Sequence, residues 1–365
     1  MNDVTSMGWN VVVLVGGVSG EHSISLRSAA TVVAALEEAG HRTVPVGISP
    51  DGVWVLGDLR PLLERARHEL VEVDSRLGTP VTLCNDGRGT RLLALDGVDP
   101  AAAREPVDVV FPVLHGPGGE DGTVQGFLEL LGVPFVGAGC RASALAMDKL
   151  AMKALCDGAG IAQAEYLSAA DHSAAAVAGL VESSFGFPCF VKPANLGSSV
   201  GISRVTDAAG LGAALDLARR WDPRVVVERS IDAREIEIAL LGATTPEMSP
   251  PGEIVTDGNF YDFQSKYVED GVRLVAGADV TAQQLTTLNE TAARVWELIG
   301  CHGMARADFF IEATTGEVLF NEINTIPGFT EISMYPRLWK ENGLSSAALV
   351  DRLVGLARER AGQGD

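Results

Sequence analysis

Apolar and polar positions follow two periods along this chain. Residues 11–15 are an unbroken run of valines and leucine, as in a short strand buried on both faces. A loop, Gly16-Gly17-Val18-Ser19-Gly20, follows. From about residue 25 to residue 39, Leu26, Ala29, Ala30, Val33 and Leu36 recur at helical spacing, with Gly40 as a stop. Residues 43–48 and 108–114 predict two further strands. The second leads into another glycine-rich loop, 115–122, and a helix. Strand, loop and helix in succession imply a parallel sheet whose ligands sit at the carboxyl ends of its strands. Residues 58–104 are polar and irregular, and predict little.

A second block begins near Gly137. It predicts a helix over 143–157, a strand over 188–193, a Gly/Ser loop, a strand over 201–205, a helix over 208–221 and a strand over 224–228. A third begins near Glu235. It predicts strands over 235–241 and 252–255, a polar stretch over 256–271, a helix over 281–299, strands over 304–311 and 318–324, and a helical end. No repeat or low-complexity tract appears.

Composition narrows the function classes. The 365 residues are 47% hydrophobic, enough for two or three domains with substantial cores. No apolar run is long enough to span a bilayer, and the first residues lack the pattern of a signal peptide. The expected location is the cytoplasm. A net charge of −20 argues against nucleic acid or an anionic membrane as partner. Any polyanion site must therefore carry its own cations. Five scattered cysteines without zinc spacing fit reduced thiols in core positions.

The most informative segment runs from Arg306 to Asn324. Two apolar-rich runs flank Thr314-Thr315-Gly316, which predicts a hairpin with a three-residue loop. Folded about Thr315, it sets Asp308 opposite Glu322 and Arg306 opposite Asn324. A period of two then puts all four on one face. Two opposed carboxylates repel unless a cation lies between them. Oxygen ligands without His or Cys suit Mg²⁺ or Mn²⁺. Glu322 bridging two ions, with Asp308 on one and Asn324 on the other, would make a two-metal phosphoryl site. Any one of these residues alone reads as a solvated strand position; four in register read as a metal site.

Two loops are candidates for phosphate. Lys192-Pro193-Ala194-Asn195-Leu196-Gly197-Ser198-Ser199-Val200-Gly201 joins two predicted strands. Its glycines and hydroxyls let backbone N–H groups approach a phosphate, while Lys192 adds charge. No GxxxxGK[ST] motif occurs. Gly137-Ala138-Gly139-Cys140-Arg141-Ala142 matches a dinucleotide-type pattern, but no acidic residue follows at a convincing strand end. It reads as a structural turn.

Taken together and in order, these motifs resemble the D-alanine–D-alanine ligases of the ATP-grasp superfamily. The resemblance covers residues 11 to about 356. It is carried by Gly16-Gly17-Val18-Ser19-Gly20-Glu21-His22-Ser23-Ile24-Ser25-Leu26, by His115-Gly116-Pro117-Gly118-Gly119-Glu120-Asp121-Gly122 and by Met147-Asp148-Lys149. Val191-Lys192-Pro193, Gly197-Ser198-Ser199-Val200-Gly201 and Asn321-Glu322-Ile323-Asn324-Thr325-Ile326-Pro327-Gly328-Phe329-Thr330 complete it. It implies an α/β (α+β ATP-grasp) fold in three domains. These are an N-terminal parallel-sheet domain for substrate and dimerisation over 1–137, a central ATP-grasp subdomain over 138–234 and a C-terminal one over 235–365.

The resemblance also implies a reaction and its residues. ATP drives the joining of two D-alanines through a D-alanyl phosphate, for peptidoglycan precursor synthesis. Lys149, Lys192 and Ser199 would contact ATP phosphates, and Glu228, Arg229, Ile231 and Glu235 the adenosine. Asp308, Glu322 and Asn324 would hold two Mg²⁺ ions, or Mn²⁺, with K⁺ as an optional activator. Arg306 and the Gly328 N–H would stabilise the oxyanion. Glu21 and His115 would receive the first D-alanine. Ser198 and Tyr267 would orient the second, with Lys266, Ser333 and Met334 around it. Phe260-Tyr261-Asp262-Phe263-Gln264-Ser265-Lys266-Tyr267 resembles the family's mobile loop, in which the tyrosine favours an amine nucleophile. A homodimer is the family's usual assembly. The alternatives are a ligase adding D-lactate or D-serine or an antibiotic-pathway amino-acid ligase, a dinucleotide-dependent oxidoreductase, and a non-catalytic nucleotide-binding module. In the oxidoreductase the opposed carboxylates have no role, and a full set of metal, phosphate and substrate groups argues against the non-catalytic module.

Overall fold

The computed structural model describes residues 8–97, 100–169, 172–256 and 272–362. Three sheets organise them. The first contains β1 (Asn10–Gly16), β2 (Arg42–Ile48), β3 (Trp54–Leu56), β4 (Thr79–Asn85), β5 (Thr90–Ala94) and β6 (Val109–Val113), in the order β5-β4-β3-β2-β1-β6. Only β2, β1 and β6 run parallel. The others extend the sheet as an antiparallel meander. The pattern of strand types explains why the parallel part is legible and the meander is not. β1 and β6 are covered on both faces and so are continuously apolar. β4 is only half-buried and carries Thr79, Thr82 and Asn85.

The second sheet is antiparallel and holds β7 (Tyr166–Ser168), β8 (Cys189–Pro193), β9 (Ser203–Val205) and β10 (Val225–Arg229), in the order β7-β10-β8-β9. Helices Ala174–Ser184 and Ala208–Arg219 cover it and share its apolar core. The third contains β11 (Ala233–Gly242), β12 (Pro246–Met248), β13 (Gly252–Thr256), β14 (Val272–Ala276), β15 (Gly303–Glu312) and β16 (Val318–Asn324). Its order is β14-β13-β11-β15-β16, with β12 on β11. The helix Ala282–Ile299 begins with a capping box at Thr281 and Gln284 and packs on this sheet.

The helix expected over 143–157 is two helices. Cys140–Met147 ends at Asp148, whose extended backbone and side-chain bond to the Ala151 N–H start Lys149–Gly158. The break puts Lys149 at the first turn of the second helix, where its N–H donates to the Ala194 carbonyl just after β8. The closing helix Ser346–Gly362 joins the core beneath β1 and β6. Arg360 donates to the carbonyls of Phe135 and Gly137, and His41 pairs with Asp351. First and third sheets are thereby locked together. No described helix is long and apolar enough to cross a membrane, and all five cysteines are free thiols.

Candidate active site

The hairpin has the register its sequence predicts at the polar end. Arg306 pairs with Asn324, and Asp308 with Glu322. The turn differs. Ile311 pairs with Val318, and the Glu312 N–H bonds the Glu317 carbonyl, so the loop is Ala313–Gly316, four residues rather than three. The one-residue difference is absorbed by a bulge where Phe309 pairs with Phe320, leaving Asn321 extra. Side chains alternate along a strand, so without the bulge Glu322 would face away from Asp308. Arg306 donates a fork to Asp308, at 2.7 and 2.6 Å, and lies 3.1 Å from Glu237 on β11. Burial opposes its charge, but Asp308 and Glu237 prevail and hold its pKa well above the ordinary value.

Three loops meet above this face. Glu21 stands at the N-cap of helix His22–Glu38, yet its side chain makes no capping bond. Its Oε1 lies against Gly116 and Gly197 instead. A β-carbon on either glycine would come within 3.3 Å of it. Both neighbouring loops need glycine for this approach. Ser198 and Ser199 follow Gly197 with φ of 52° and 58°. Such backbone is uncommon for residues with a side chain and clusters at functional loops. His115 is buried. Its Nε2 is 3.2 Å from the Ser28 hydroxyl, which also accepts the Phe329 N–H. Burial pushes this imidazole down, keeping it neutral. Gly328 approaches Ser333, where an added β-carbon would meet the hydroxyl at 3.0 Å. The Met334 side chain packs beneath Gly252, leaving its backbone at the helix start.

Beside the hairpin lies a cleft lined by Ala146, Lys149, Met152, Lys153, Lys192, Glu228, Asn321 and Glu322. Lys149 donates to the Leu196 carbonyl at 2.6 Å and lies 4.0 Å from Glu322. Lys192 pairs with Glu228 Oε2 at 2.5 Å, and Lys153 lies 3.3 Å from Oε1. Burial alone would raise the Glu228 pKa, but Lys192 and Lys153 hold it at about 2. Glu235 adds negative charge near Lys192. Arg229 is turned outward between Glu165 and Glu312. Ile231 is half-buried at the hinge between the second and third sheets. Lys266 and Tyr267, with the rest of the loop 260–267, lie outside the described residues.

The turn at Gly137 has no dinucleotide site. Its helix N-terminus is already filled by Glu129, which accepts the Cys140 N–H at 2.8 Å, and Arg360 takes the Gly137 carbonyl.

Known proteins are similar to this chain over nearly its whole length. The family described as D-ala D-ala ligase N-terminus matches residues 10–138, and D-ala D-ala ligase C-terminus matches 155–355. The chain belongs to the D-alanine–D-alanine ligase family. A D-alanine–D-alanine ligase of Heliobacterium modesticaldum is 43% identical over 363 residues, 98% of this chain and 97% of that one. One from Bacillus pumilus is 43% identical over 94% of each chain. Among solved structures, the D-alanine–D-alanine ligase of Coxiella burnetii has a TM-score of 0.84 at 32% identity, covering 98% of this chain and 96% of that one. The VanG D-Ala:D-Ser ligase of Enterococcus faecalis has 0.82 at 34%, covering 96% and 99%.

Within this ligase-family chain, the hairpin donors fit a hard divalent ion. They are two carboxylates and an amide, all oxygen. Among the described residues no group of three His, Cys, Asp or Glu side chains is disposed to hold a metal ion by itself. The Asn324 amide oxygen also accepts the Ile326 N–H. So few protein ligands suit Mg²⁺, which keeps waters and binds through phosphate oxygens.

Three functional candidates escape single-residue reading. Glu120 is buried, accepts the Gly116 N–H, and is raised well above an ordinary carboxyl by burial and then by Glu21. Ser28 links His115 to Phe329. Lys153 is the second cation on Glu228. Glu120 was visible in a motif, and Lys153 lies one helical turn from Lys149. Ser28 had no signal, because its partners are 87 and 301 residues away.

Proposed function

We infer that this protein is an ATP-dependent D-alanine–D-alanine ligase that releases ADP and phosphate and supplies a peptidoglycan precursor. The observation that carries the mechanism is the meeting of opposite charge excesses at Lys149 and Glu322, 4.0 Å apart. A triphosphate with its divalent ions satisfies both sides.

Lys149, Lys192 and the Ser199 loop hold the ATP phosphates, and Glu228, Arg229, Ile231 and Glu235 the adenosine. Arg229 contributes through its backbone, since its side chain is engaged elsewhere. Asp308, Glu322 and Asn324 would hold two Mg²⁺ ions, or Mn²⁺, with K⁺ as an optional activator. When bound, the metal neutralises charge on the transferring oxygens.

Glu21 pairs with the ammonium of the first D-alanine, beside neutral His115. The carboxylate of that D-alanine attacks the γ-phosphorus, and ADP leaves with the β–γ bridging oxygen. The amine of the second D-alanine then attacks the acyl carbon of the D-alanyl phosphate. Arg306 and the Gly328 N–H stabilise the tetrahedral oxyanion. Ser198 and Tyr267 orient the amine and remove its proton. The C–O bond to phosphate breaks, releasing phosphate and the dipeptide. Ser333 and Met334 receive the second carboxylate, through hydroxyl and backbone N–H, with Lys266 also in the substrate site.

We propose three domains, over 1–137, 138–234 and 235–365; the presence of three separate sheets supports this division, although β11 of the third sheet starts at Ala233. We place the enzyme in the cytoplasm as a homodimer through the first domain. The likeness to a D-Ala:D-Ser ligase keeps a second reading open, and Tyr267 is the residue that argues for D-alanine at the second site. Phosphate release from ATP and Mg²⁺ is measured with D-Ala, D-Ser, D-lactate or L-Ala, with products weighed by mass spectrometry. D-Ala alone should yield phosphate and dipeptide in equal amounts. A mixed product would move the error to Tyr267, and no D-Ala-dependent release would refute the activity.

A further inference from the structure

Phosphate binding uses Lys149 and Lys192 and leaves the third lysine of the cleft without a task. Lys153 is 3% exposed. Its ammonium lies 3.3 Å from Glu228 Oε1 and 5.2 Å from the centre of the Tyr166 ring, without an aligned hydrogen bond. A buried lysine is costly to desolvate unless its charge is needed.

Counting charges shows when it is needed. In the structure Glu228 holds Lys192 on one oxygen and Lys153 on the other. A triphosphate draws Lys149 and Lys192 to its phosphates. Glu228 then keeps Lys153 alone. Lys149 and Lys153 share one helix, one turn apart, so a single element presents one ammonium to the phosphates and the other to the carboxylate.

We propose that Lys153 is a positioning residue for nucleotide choice. It keeps Glu228 ionised after Lys192 has moved, so that Glu228 accepts from a 6-amino purine and repels a 6-oxo purine. The proposal rests on reading Glu228 as part of the adenine site. An ionised carboxylate only accepts hydrogen bonds. The 6-amino group of ATP donates, whereas the 6-oxo group of ITP offers an acceptor. Without Lys153, the buried carboxyl takes up a proton and becomes an O–H donor, which suits ITP.

The test compares ATP with ITP in full-length Lys153→Met. Lys192 still pairs with Glu228 in the nucleotide-free protein, so its melting temperature should stay within about 2 °C of the parent. The KM for ATP should rise about 10- to 100-fold, the loss of a charge-assisted hydrogen bond. The KM for ITP should stay level or fall, with kcat and the KM for D-Ala unchanged. Lys153→Arg, which keeps the charge, should retain the ATP preference. Equal losses for ATP and ITP would overturn the proposal, as would a destabilised protein with unchanged preference. Glu228→Gln separates the layers. If it leaves the ATP/ITP ratio untouched, the adenine-site reading falls and takes the proposal with it. If it narrows the ratio while Lys153→Met does not, that reading stands and the proposal alone falls.

Discussion

The hairpin face and the lysine cleft adjoin, yet they are built from opposite charges on different supports. The hairpin face groups its own Asp308 and Glu322 with Glu237 of β11 around one guanidinium, Arg306. The cleft groups Lys149, Lys153 and Lys192 around one buried carboxylate, Glu228. Each region carries a counter-ion that keeps it folded before ligand arrives, and each has charge left for the ligand. Their supports differ as well. The hairpin's geometry follows from strand pairing, which one bulge adjusts. The cleft's follows from a helix break at Asp148 and from two sheets that meet at Glu228 and Ile231.

The largest effect should come from removing the guanidinium. Arg306→Ala leaves Asp308 and Glu237 buried and facing each other, and should cost about 3–5 kcal/mol of stability. Ligase activity should vanish with it. Arg306→Lys should recover part of the stability, because a lysine cannot reproduce the fork to Asp308. Denaturant melts and phosphate release measure both, and an Arg306→Ala variant as stable as the parent would break the contrast.

A smaller effect is expected in the cleft. Lys192→Met should lower kcat/KM for ATP about 10²-fold, the scale of a lost charge-assisted phosphate contact. Stability should change little, because Lys153 still neutralises Glu228. A large drop in melting temperature would mean that the two lysines are not interchangeable partners in the nucleotide-free protein.

The smallest effect separates the regions by pH. Burial, and then the charge of Arg360, pushes His302 down to about 4 from an ordinary value of 6.5. His302 leads directly into β15. Between pH 6.5 and about 4 the unfolded chain binds a proton that the folded chain does not, so stability falls as pH falls through that window. Glu228 behaves otherwise. Its folded value is about 2 against an ordinary 4.5, so its contribution is full above pH 4.5 and is lost as pH falls towards 2. The His302 contribution should therefore be lost before that of Glu228. Melting temperature should decline by a few degrees from pH 7 to pH 5, and His302→Gln should reduce the decline, leaving the part that belongs to buried His115. An unchanged slope in that variant would place the sensitive group elsewhere.

The two regions were also unequally legible. Asp308, Glu322, Arg306 and Asn324 lie within 19 residues of chain, and strand alternation is enough to gather them. The loop length was misjudged by one residue, and only the bulge at Asn321 restored the register. The cleft gave less away. Its lysines are 39 and 43 residues from Lys192, and nothing local says that they share Glu228. The predicted helix across 143–157 concealed the break that aims Lys149. The meander over 54–94 was missed because its short strands are half-polar. Glu21 stands at a helix N-terminus, and its place in the site rests on the approach of its carboxylate to Gly116 and Gly197.

By itself the sequence determined the elements whose hydrophobic period is strong, the hairpin's polar face and, through its ordered motifs, the ligase family. Those depend on interactions within a few residues, where chain geometry leaves few choices. Tertiary structure alone decided which distant groups share a charge. It set Lys153 and Lys192 on Glu228, Ser28 between His115 and Phe329, and Glu21 between two glycine loops. Burial and long-range pairing set those contacts, and neither is encoded in any single stretch of chain.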